Sequence, residues 1–167
     1  ILMTVHPETV DVQSNIEYVH QLKSAIIELS ETTHILVTMP NADTLGSLYR
    51  EMFKDLRDKN PERINIIENL GTQSYFSAMK HCALLLGNTS SGIIEAATFK
   101  KHVRNIGDRQ KGRIAGDNVV HVPFNHEEIL KETKKYFGRT YNGINIYECK
   151  NGTRHIIQGL KNKINGI

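Results

Sequence analysis

The sequence predicts an α/β fold with a doubly wound, mostly parallel sheet, a Rossmann-like architecture. Short apolar runs rich in β-branched residues alternate with segments of helical period along most of the chain, which is the pattern of repeated βα units. The 167 residues suit one hydrophobic core, because a single core commonly serves about 100–200 residues. We therefore expect residues 1–167 to form one domain that binds its ligand at the carboxyl ends of the strands.

The predicted strands are the apolar runs. In chain order they are Ile1–Val5, His34–Met39, Ile64–Ile67, Ala83–Leu86, His102–Ile106 and Asn118–Val122. A helical segment or a long loop separates each from the next, and such crossovers are what parallel pairing needs. The sheet is therefore expected to be parallel with helices on its faces.

The predicted helices are segments in which apolar residues recur every three or four positions. In chain order they are Asn15–Ser30, a segment through Leu45, Leu48, Met52 and Leu56, then Ser74–His81, Gly92–Phe99, Glu127–Tyr136 and Thr153–Ile164. Ser14 suits an N-cap for the first helix, and Asn60-Pro61 ends the second. The last helix follows a Gly- and Asn-rich surface segment, Phe137–Asn151, and is expected to close the fold. Its apolar positions are Ile156, Ile157, Leu160 and Ile164.

The composition argues against a nucleic-acid partner. The formal net charge is only +3, the chain has no tryptophan, and its lysines and arginines are scattered among acidic residues. Nucleic-acid sites usually need a clustered basic face, and single-stranded sites add aromatic rings for stacking. A small anionic ligand is the better match.

Cysteine usage and hydropathy bear on the compartment. Cys82 and Cys149 have neither the number nor the spacing of a disulfide framework or a zinc site, which favours a reducing compartment, most simply the cytoplasm. No apolar run approaches the ~20 residues of a membrane span, so we expect no membrane association. The chain opens within the strand-like run ILMTV and without an initiator methionine, and we expect it to be a piece of a longer protein.

The stretch GNTSSG, which follows the fourth predicted strand, is a candidate anion site. Its small residues let the backbone approach a ligand, and the first amides of a helix have no internal acceptor. We expect the amides between Asn88 and Gly92 to bind an anion such as a diphosphate. The hydroxyls of Thr89, Ser90 and Ser91 add donors. A plain N-cap at Ser90 or Ser91 is the alternative.

Glu95 lies in the first turn of the helix that follows this stretch. A carboxylate there is either a capping-box partner or a ligand contact. Phosphate alone would repel it, whereas a ribose diol can donate both hydroxyl protons to one carboxylate, as in dinucleotide-binding folds. The loop and the glutamate together therefore favour a nucleotide.

The stretch NIGDRQKGR, at the end of the fifth predicted strand, supplies cations. Neighbouring strand ends would bring it beside GNTSSG, where a guanidinium binds phosphate as a two-pronged fork. We predict this role for Arg109 and interpret Lys111 and Arg113 as solvated.

His6 is a candidate because it ends the first predicted strand and Pro7 restricts the turn after it. An imidazole there could hydrogen-bond a diphosphate or move a proton. The remaining histidines show no metal-ligand spacing with carboxylates, so we predict no metal.

Four stretches, TVHP, MPNAD, GNTSSGIIEA and NIGDRQKGR, lie in the same order as in the UDP-N-acetylglucosamine 2-epimerases. The chain resembles this family up to about the helix at Glu127, and within it the hydrolysing branch. The non-hydrolysing branch has a DSGG-type loop and a TERPE-type stretch, neither of which occurs here. The resemblance implies two Rossmann-like domains facing each other across a cleft, a GT-B-like arrangement. This chain would be the C-terminal domain, and the missing N-terminal domain would be its partner.

The resemblance also implies roles for single residues. Thr89 and Ser90 would contact the diphosphate, with Thr89 standing where serine is more usual. Glu95 would hold the ribose, and Arg109 would face the phosphates.

Three further roles rest on the same resemblance. His6 matches the family's active-site histidine, Asn41 matches a substrate-contacting asparagine, and the backbone at Leu70 would lie against the uracil.

The reaction implied by the resemblance is an elimination followed by hydration. UDP leaves C1 as the C2 proton is lost, and water then adds to the unsaturated sugar to release the 2-epimer, an N-acetylmannosamine-type sugar, without a cofactor. The substrate would be UDP-N-acetylglucosamine or a related diacetamido UDP-sugar. The acid and base carboxylates are expected on the other domain, so this chain alone should bind nucleotide weakly and turn over nothing.

Three alternatives stay open. They are a non-hydrolysing 2-epimerase, a GT-B glycosyltransferase that uses a UDP-sugar donor, and a non-catalytic ligand-sensing or assembly domain. A homo-oligomer is possible.

Overall fold

The computed structural model describes residues 1–9, 13–41 and 45–164. Within them one sheet contains the strands β1 Leu2–Thr4, β2 Ile35–Thr38, β3 Ile64–Ile67, β4 Leu85–Gly87, β5 Val103–Ile106 and β6 Val119–Val122. Every strand pairs in parallel with its neighbours, in the order β3-β2-β1-β4-β5-β6. The predicted doubly wound, Rossmann-like sheet is confirmed.

Helices follow every strand except β5, which a loop joins to β6. In chain order they are α1 Asn15–Ser30, α2 Gly46–Lys59, α3 Gly71–His81, α4 Ser90–Ile94, α5 His126–Tyr136 and α6 Gly152–Ile164. The first has the predicted bounds, whereas α3 begins three residues earlier than predicted because the chain turns at Gly71, whose φ is +64°. Ser14 occupies the N-cap position of α1 but makes no capping hydrogen bond with its side chain. At α5 the Asn125 side chain does cap, accepting from the Glu128 amide.

Side chains of alternating direction divide the core into two layers. Met3 and Leu86 face a large apolar cluster that α1, α2 and α5 cover on one side of the sheet. Leu2 and Leu85 point to the opposite face and pack with Met79 of α3. This alternation along short buried strands is what a sheet covered on both faces requires.

The order of the strands creates a switch point between β1 and β4. From β1 the chain proceeds outward to β2 and β3, then returns to β4 on the other side of β1. The loops that leave β1 and β4 therefore diverge and leave a crevice at the carboxyl edge of the sheet, where α/β folds bind ligands. Gly87 makes this pairing possible, because its φ is +151° and a Cβ there would lie 2.0 Å from the Thr4 carbonyl oxygen.

The prediction that the last helix closes the fold is wrong for the described residues. A helix forms at Gly152–Ile164, but none of its residues is buried. Its apolar side chains Ile156, Ile157, Leu160 and Ile164 are exposed. The amphipathic spacing indicates a helix correctly but does not say what the apolar side packs against.

Candidate functional site

Hydrogen bonds join the loops after β1 and β4 at the switch point. The Asn88 side chain accepts from the His6 amide at 2.7 Å and donates to the His6 carbonyl at 2.8 Å. Asn88 is fully buried, and its backbone N–H donates to the Thr4 carbonyl at 3.0 Å. This side chain completes, beyond the end of the strands, the pairing that the two backbones can no longer make.

A groove of about 510 Å³ opens at this edge of the sheet. It is lined by Thr4, Thr38, Met39, Glu68, Asn69, Leu70, Gly71, Thr72, Tyr75, Phe76, Thr89, Ser91 and Glu95. The predicted residues Leu70, Thr89, Ser91 and Glu95 are thus brought together, and a pocket of this size suits a small molecule.

The helix at GNTSSG is shorter than predicted. It runs from Ser90 to Ile94 and is followed by turns, so its dipole is that of little more than one turn. Thr89 is the N-cap, not Ser90 or Ser91, and its side chain makes no capping hydrogen bond. The Thr89 side chain lines the groove.

The amides of this stretch divide into two groups. Those of Asn88 and Gly92 donate to the carbonyls of Thr4 and Thr89, so they do not face a ligand as predicted. Gly92 is buried, and a Cβ there would lie 3.0 Å from Val103, so its smallness serves close packing against β5. In the described part of the chain no acceptor is found for the amides of residues 89–91. Three successive donors are left for an anion.

Glu95 lies at the C-cap of α4, not in its first turn. The carboxylate lines the groove, and its Oε2 atom is buried without a hydrogen-bond partner among the described residues. Burial raises the pKa of Glu95, and the Ser91 hydroxyl opposes part of that rise. An unpaired buried carboxylate oxygen costs stability. A ligand that donates a hydrogen bond would remove this cost, so Glu95 Oε2 is a candidate acceptor for a ligand.

Tyr75 of α3 presents a second unpaired atom to the same groove. Its hydroxyl is buried and has no partner of good hydrogen-bond geometry in the described residues. Burial raises the pKa of Tyr75, and the nearby hydroxyls of Thr4, Ser91 and Thr89 offset part of the rise. The groove therefore contains an unused donor from Tyr75 close to the unused acceptor of Glu95.

The loop after β5 reaches the β4 loop, as predicted. The Arg109 guanidinium is exposed and its Nη1 lies 3.4 Å from the Asn88 carbonyl oxygen, which Gln110 Nε2 also contacts at 2.8 Å. Lys111 is exposed and pairs with Asp108 at 2.9 Å. Arg109 thus extends toward GNTSSG, and its role as a phosphate contact stays a prediction.

Five predicted residues do not line the groove, namely His6, Asn41, Ser90, Gly92 and Arg109. His6 is half-buried beside Asn88, and Asn41 is exposed just after β2. Part of the MPNAD stretch, Ala42 and Asp43, lies outside the described residues. Leu70, in contrast, lines the groove beside Gly71, whose amide donates to the Asn69 side chain at 2.7 Å.

Sequence reasoning did not identify several residues that shape the site. The sequence pattern predicts Tyr75 only as part of a helix and assigns no side-chain role to Asn88, Gln110 or Glu8. A tyrosine on an amphipathic helix resembles a core residue, so only the placement of its hydroxyl reveals it. Glu8 lies two positions after His6 and is recognisable from the sequence as a carboxylate near a strand end.

The described residues contain no group of three or more potential metal-ligating side chains. Nor is any described helix long and apolar enough to cross a bilayer. The site instead combines amide and hydroxyl donors, an exposed guanidinium and a buried acceptor, a set suited to a ligand that carries phosphate and sugar hydroxyls.

Comparison with known proteins agrees with this chemistry. Residues 1–161 match the family described as UDP-N-acetylglucosamine 2-epimerase. The chain is 36% identical over 124 residues to a GDP/UDP-N,N'-diacetylbacillosamine 2-epimerase (hydrolyzing) of Campylobacter jejuni, covering 74% of this chain and 32% of that protein. It is 35% identical over 130 residues to a UDP-N,N'-diacetylbacillosamine 2-epimerase (hydrolyzing) of Legionella pneumophila, covering 77% and 33%.

Solved structures share the fold at lower identity. A complex of S. aureus MnaA with UDP superposes with a TM-score of 0.76 at 18% identity, covering 99% of this chain and 45% of that one. UDP-GlcNAc 2-epimerase of Neisseria meningitidis bound to UDP-GlcNAc gives 0.74 at 18% identity, covering 96% and 44%. The chain thus spans about a third of the two curated relatives and under half of these structures.

Proposed function

The chain belongs to the UDP-N-acetylglucosamine 2-epimerase family, and we propose that it is the UDP-binding domain of a hydrolysing 2-epimerase. The observation that carries the proposal is the groove itself. It sets the unpaired Glu95 Oε2 and the unpaired Tyr75 hydroxyl beside the free amides of residues 89–91. Unused acceptors and donors in one cavity support a ligand that has both a diol and an anion.

The proposed placement of UDP follows from these groups. The diphosphate lies against the amides of residues 89–91 and the hydroxyls of Thr89, Ser90 and Ser91, with the Arg109 guanidinium facing its charge. The ribose hydroxyls donate to Glu95. The uracil lies along the groove toward the backbone at Leu70, between α3 and the end of β2. Leu70, Thr89, Ser91 and Glu95 all line this groove, which supports the placement.

The proposed reaction separates UDP from the sugar. UDP leaves C1 as the proton on C2 is lost, and water then adds to the unsaturated sugar, so that UDP and the free 2-epimer are released. This chain's residues lower the barrier by stabilising the negative charge that grows on the leaving diphosphate. His6 lies at the strand end beside Asn88, where it binds the diphosphate or moves a proton, and Asn41 contacts the sugar.

The substrate we propose is UDP-N-acetylglucosamine or a diacetamido UDP-sugar. The two relatives above 30% identity are named as 2-epimerases of N,N'-diacetylbacillosamine nucleotides, which favours the diacetamido sugar. We place the acid and base carboxylates on a second Rossmann-like domain in a GT-B-like arrangement. The two free cysteines, Cys82 and Cys149, support a reducing, cytoplasmic location.

The test follows the reaction of the intact protein by ¹H and ³¹P NMR in D₂O. UDP-N-acetylglucosamine and UDP-N,N'-diacetylbacillosamine are supplied separately, without an acceptor. We expect release of UDP together with a free 2-epimeric sugar that carries deuterium at C2. UDP release only after an acceptor is added would identify a glycosyltransferase instead. An epimerised sugar still linked to UDP would identify the non-hydrolysing reaction.

A further inference from the structure

Glu8 is a buried carboxylate that the proposed reaction does not use. Its residue is only 4% exposed, and it lies two positions after His6 in the loop that leaves β1. One carboxylate oxygen, Oε1, accepts from the backbone amides of Asp108 and Arg109 at 2.9 and 3.0 Å. These amides are about one hundred residues away in the chain, so Glu8 joins the β1 loop to the β5 loop.

Other groups hold Glu8 in place. Its amide donates to Asn15 Oδ1 at 2.9 Å, and its carbonyl accepts from Asn15 Nδ2 at 2.9 Å. The Tyr49 hydroxyl donates to the same Asn15 oxygen at 3.0 Å. The main chain at Glu8 is therefore fixed to the start of α1, and its side chain has little freedom in the direction it takes.

The β5 loop is shaped to receive this carboxylate. Gly107 has a φ of +73°, and a Cβ there would lie 2.3 Å from Glu8 Oε1 and 2.5 Å from the Phe124 ring. The absence of a side chain thus lets the loop close over the carboxylate. Two successive amides that point at one anion form a nest, and here the anion is part of the protein.

This contact decides which part of the β5 loop can bind a ligand. Because Glu8 uses the amides of Asp108 and Arg109, the backbone there has no donor left for phosphate. Only the side chains extend toward GNTSSG, where Arg109 and Gln110 both contact the Asn88 carbonyl. The backbone of the β5 loop is therefore bound to the β1 loop through Glu8, and its side chains contact the β4 loop at Asn88.

Burial of the Glu8 carboxylate disfavours its charged form. Burial raises the pKa of Glu8, and the amides of Arg109 and Asp108 lower it in part. A buried charged group is weak evidence for stability, so the contacts of this carboxylate with two amides of the β5 loop are the better indication of its role. What it holds is the main chain that carries the guanidinium.

We propose that Glu8 is a positioning residue that aims the Arg109 guanidinium at the diphosphate. The inference rests on the proposed function, since it takes Arg109 as a phosphate contact. Glu8 itself touches no ligand in this account. Its effect on UDP binding must therefore pass through Arg109, and that dependence can be measured.

The experiment measures UDP affinity of the intact protein by calorimetry for two matched variants. Glu8→Asp keeps the charge but shortens the side chain by one methylene, so that it no longer reaches both amides. Glu8→Gln keeps the reach and an acceptor oxygen but removes the charge. Losing hydrogen bonds that fix a charged contact should weaken UDP binding about 3- to 10-fold in Glu8→Asp. We expect Glu8→Gln to remain within about twofold of the wild type, since its acceptor is retained.

A double-variant cycle supplies the decisive comparison. Arg109→Ala should weaken UDP binding about tenfold or more, and adding Glu8→Asp should then change the affinity by less than about twofold. Lys111→Ala, on the same loop but paired with Asp108, is the control for loss of charge and should leave the affinity near that of the wild type. Amide exchange, followed in the same proteins, should quicken at Asp108 and Arg109 while the sheet stays protected.

The outcomes separate this inference from the proposed function. Wild-type affinity in Glu8→Asp, or an equal loss with and without Arg109, would overturn the positioning role alone. If Arg109→Ala binds UDP as tightly as the wild type, the phosphate role of Arg109 fails and the inference fails with it. If Glu8→Asp does not fold, the result for Glu8→Gln decides. Intact protection of the Asp108 and Arg109 amides with wild-type affinity upholds the role. Lost protection of these amides with unchanged affinity overturns it.

Discussion

At the scale of single residues, the groove contains polar atoms that reduce stability until a ligand pairs with them. Glu95 Oε2 and the Tyr75 hydroxyl are both buried and unpaired among the described residues. A buried polar atom without a partner typically costs about 1–3 kcal/mol. Binding sites of this kind are less stable than they could be because their polar groups are kept for a ligand. Replacing either side chain should therefore preserve or raise stability and weaken ligand binding.

Glu95→Gln should stabilise the protein at neutral pH while weakening UDP binding. Because burial raises the pKa of Glu95, the folded state favours the protonated carboxyl, and ionisation above the folded pKa costs stability. Glutamine removes this cost, so its melting temperature should exceed the wild-type value at pH 7.5. The difference should shrink as the pH falls through the folded pKa. The carboxylate is partly exposed, so we expect a gain below about 1 kcal/mol.

The same variant should bind UDP about tenfold more weakly, because an amide offers the ribose hydroxyls one neutral acceptor oxygen in place of the two charged oxygens of a carboxylate. Thermal melts at two pH values and calorimetry with UDP test both halves. A variant that is less stable at pH 7.5, or that binds UDP as well as the wild type, would contradict the role of Glu95.

Tyr75→Phe removes the second unpaired atom with little change of shape. The ring packs near Met79 in the smaller apolar cluster and would stay in place. We expect stability to change by less than about 0.5 kcal/mol or to rise, whereas UDP affinity should fall several-fold. Denaturation and UDP titration of the variant provide the check. A clear loss of stability with unchanged affinity would show that the hydroxyl is structural.

At the scale of secondary structure elements, the β1–β4 pair determines where the crevice forms. Three backbone pairs join these strands, from Leu2 with Leu85 to Thr4 with Gly87. Beyond them the Asn88 side chain continues the connection to His6. The last pair is possible only because Gly87 brings no Cβ against the Thr4 carbonyl.

Gly87→Ala should therefore destabilise the protein by about 3 kcal/mol or more, because the new Cβ collides with backbone that cannot move without breaking the pair. Gly71→Ala is the matched control. Gly71 also has a positive φ, +64°, but apart from its chain neighbours and its own helix backbone no atom of the described residues lies within 4 Å of its Cβ position. Only backbone strain of about 1–2 kcal/mol is expected there. Chemical denaturation of both variants tests the difference, and equal losses would contradict the packing argument.

At the scale of the whole molecule, the fold was predictable because it depends on patterns that are local in the chain. Apolar runs and helical spacing determine a parallel sheet whatever the details of each turn. The strand order, however, is set by long-range pairing, so it appears only in the structure. The packing of α6 was predicted wrongly for the same reason, because apolar spacing indicates a helix but not what the helix packs against.

The grouping of several candidate side chains was predictable from residue type, while their role in binding stays a prediction. Glycine, serine and threonine at a strand end indicate an anion site, and the structure does place Thr89, Ser91 and Glu95 on one groove. What local sequence did not reveal is how each donor is used. The internal bonds of the Asn88 and Gly92 amides, and the hold of Glu8 on the Arg109 loop, join distant segments and need coordinates.

A crystal structure of the intact protein with UDP would show whether the nucleotide binds at this edge of the sheet. We predict the diphosphate against the amides of residues 89–91, the ribose hydroxyls on Glu95 and the Arg109 guanidinium beside the phosphates. A nucleotide bound elsewhere, with Glu95 and Tyr75 still unpaired, would contradict this prediction.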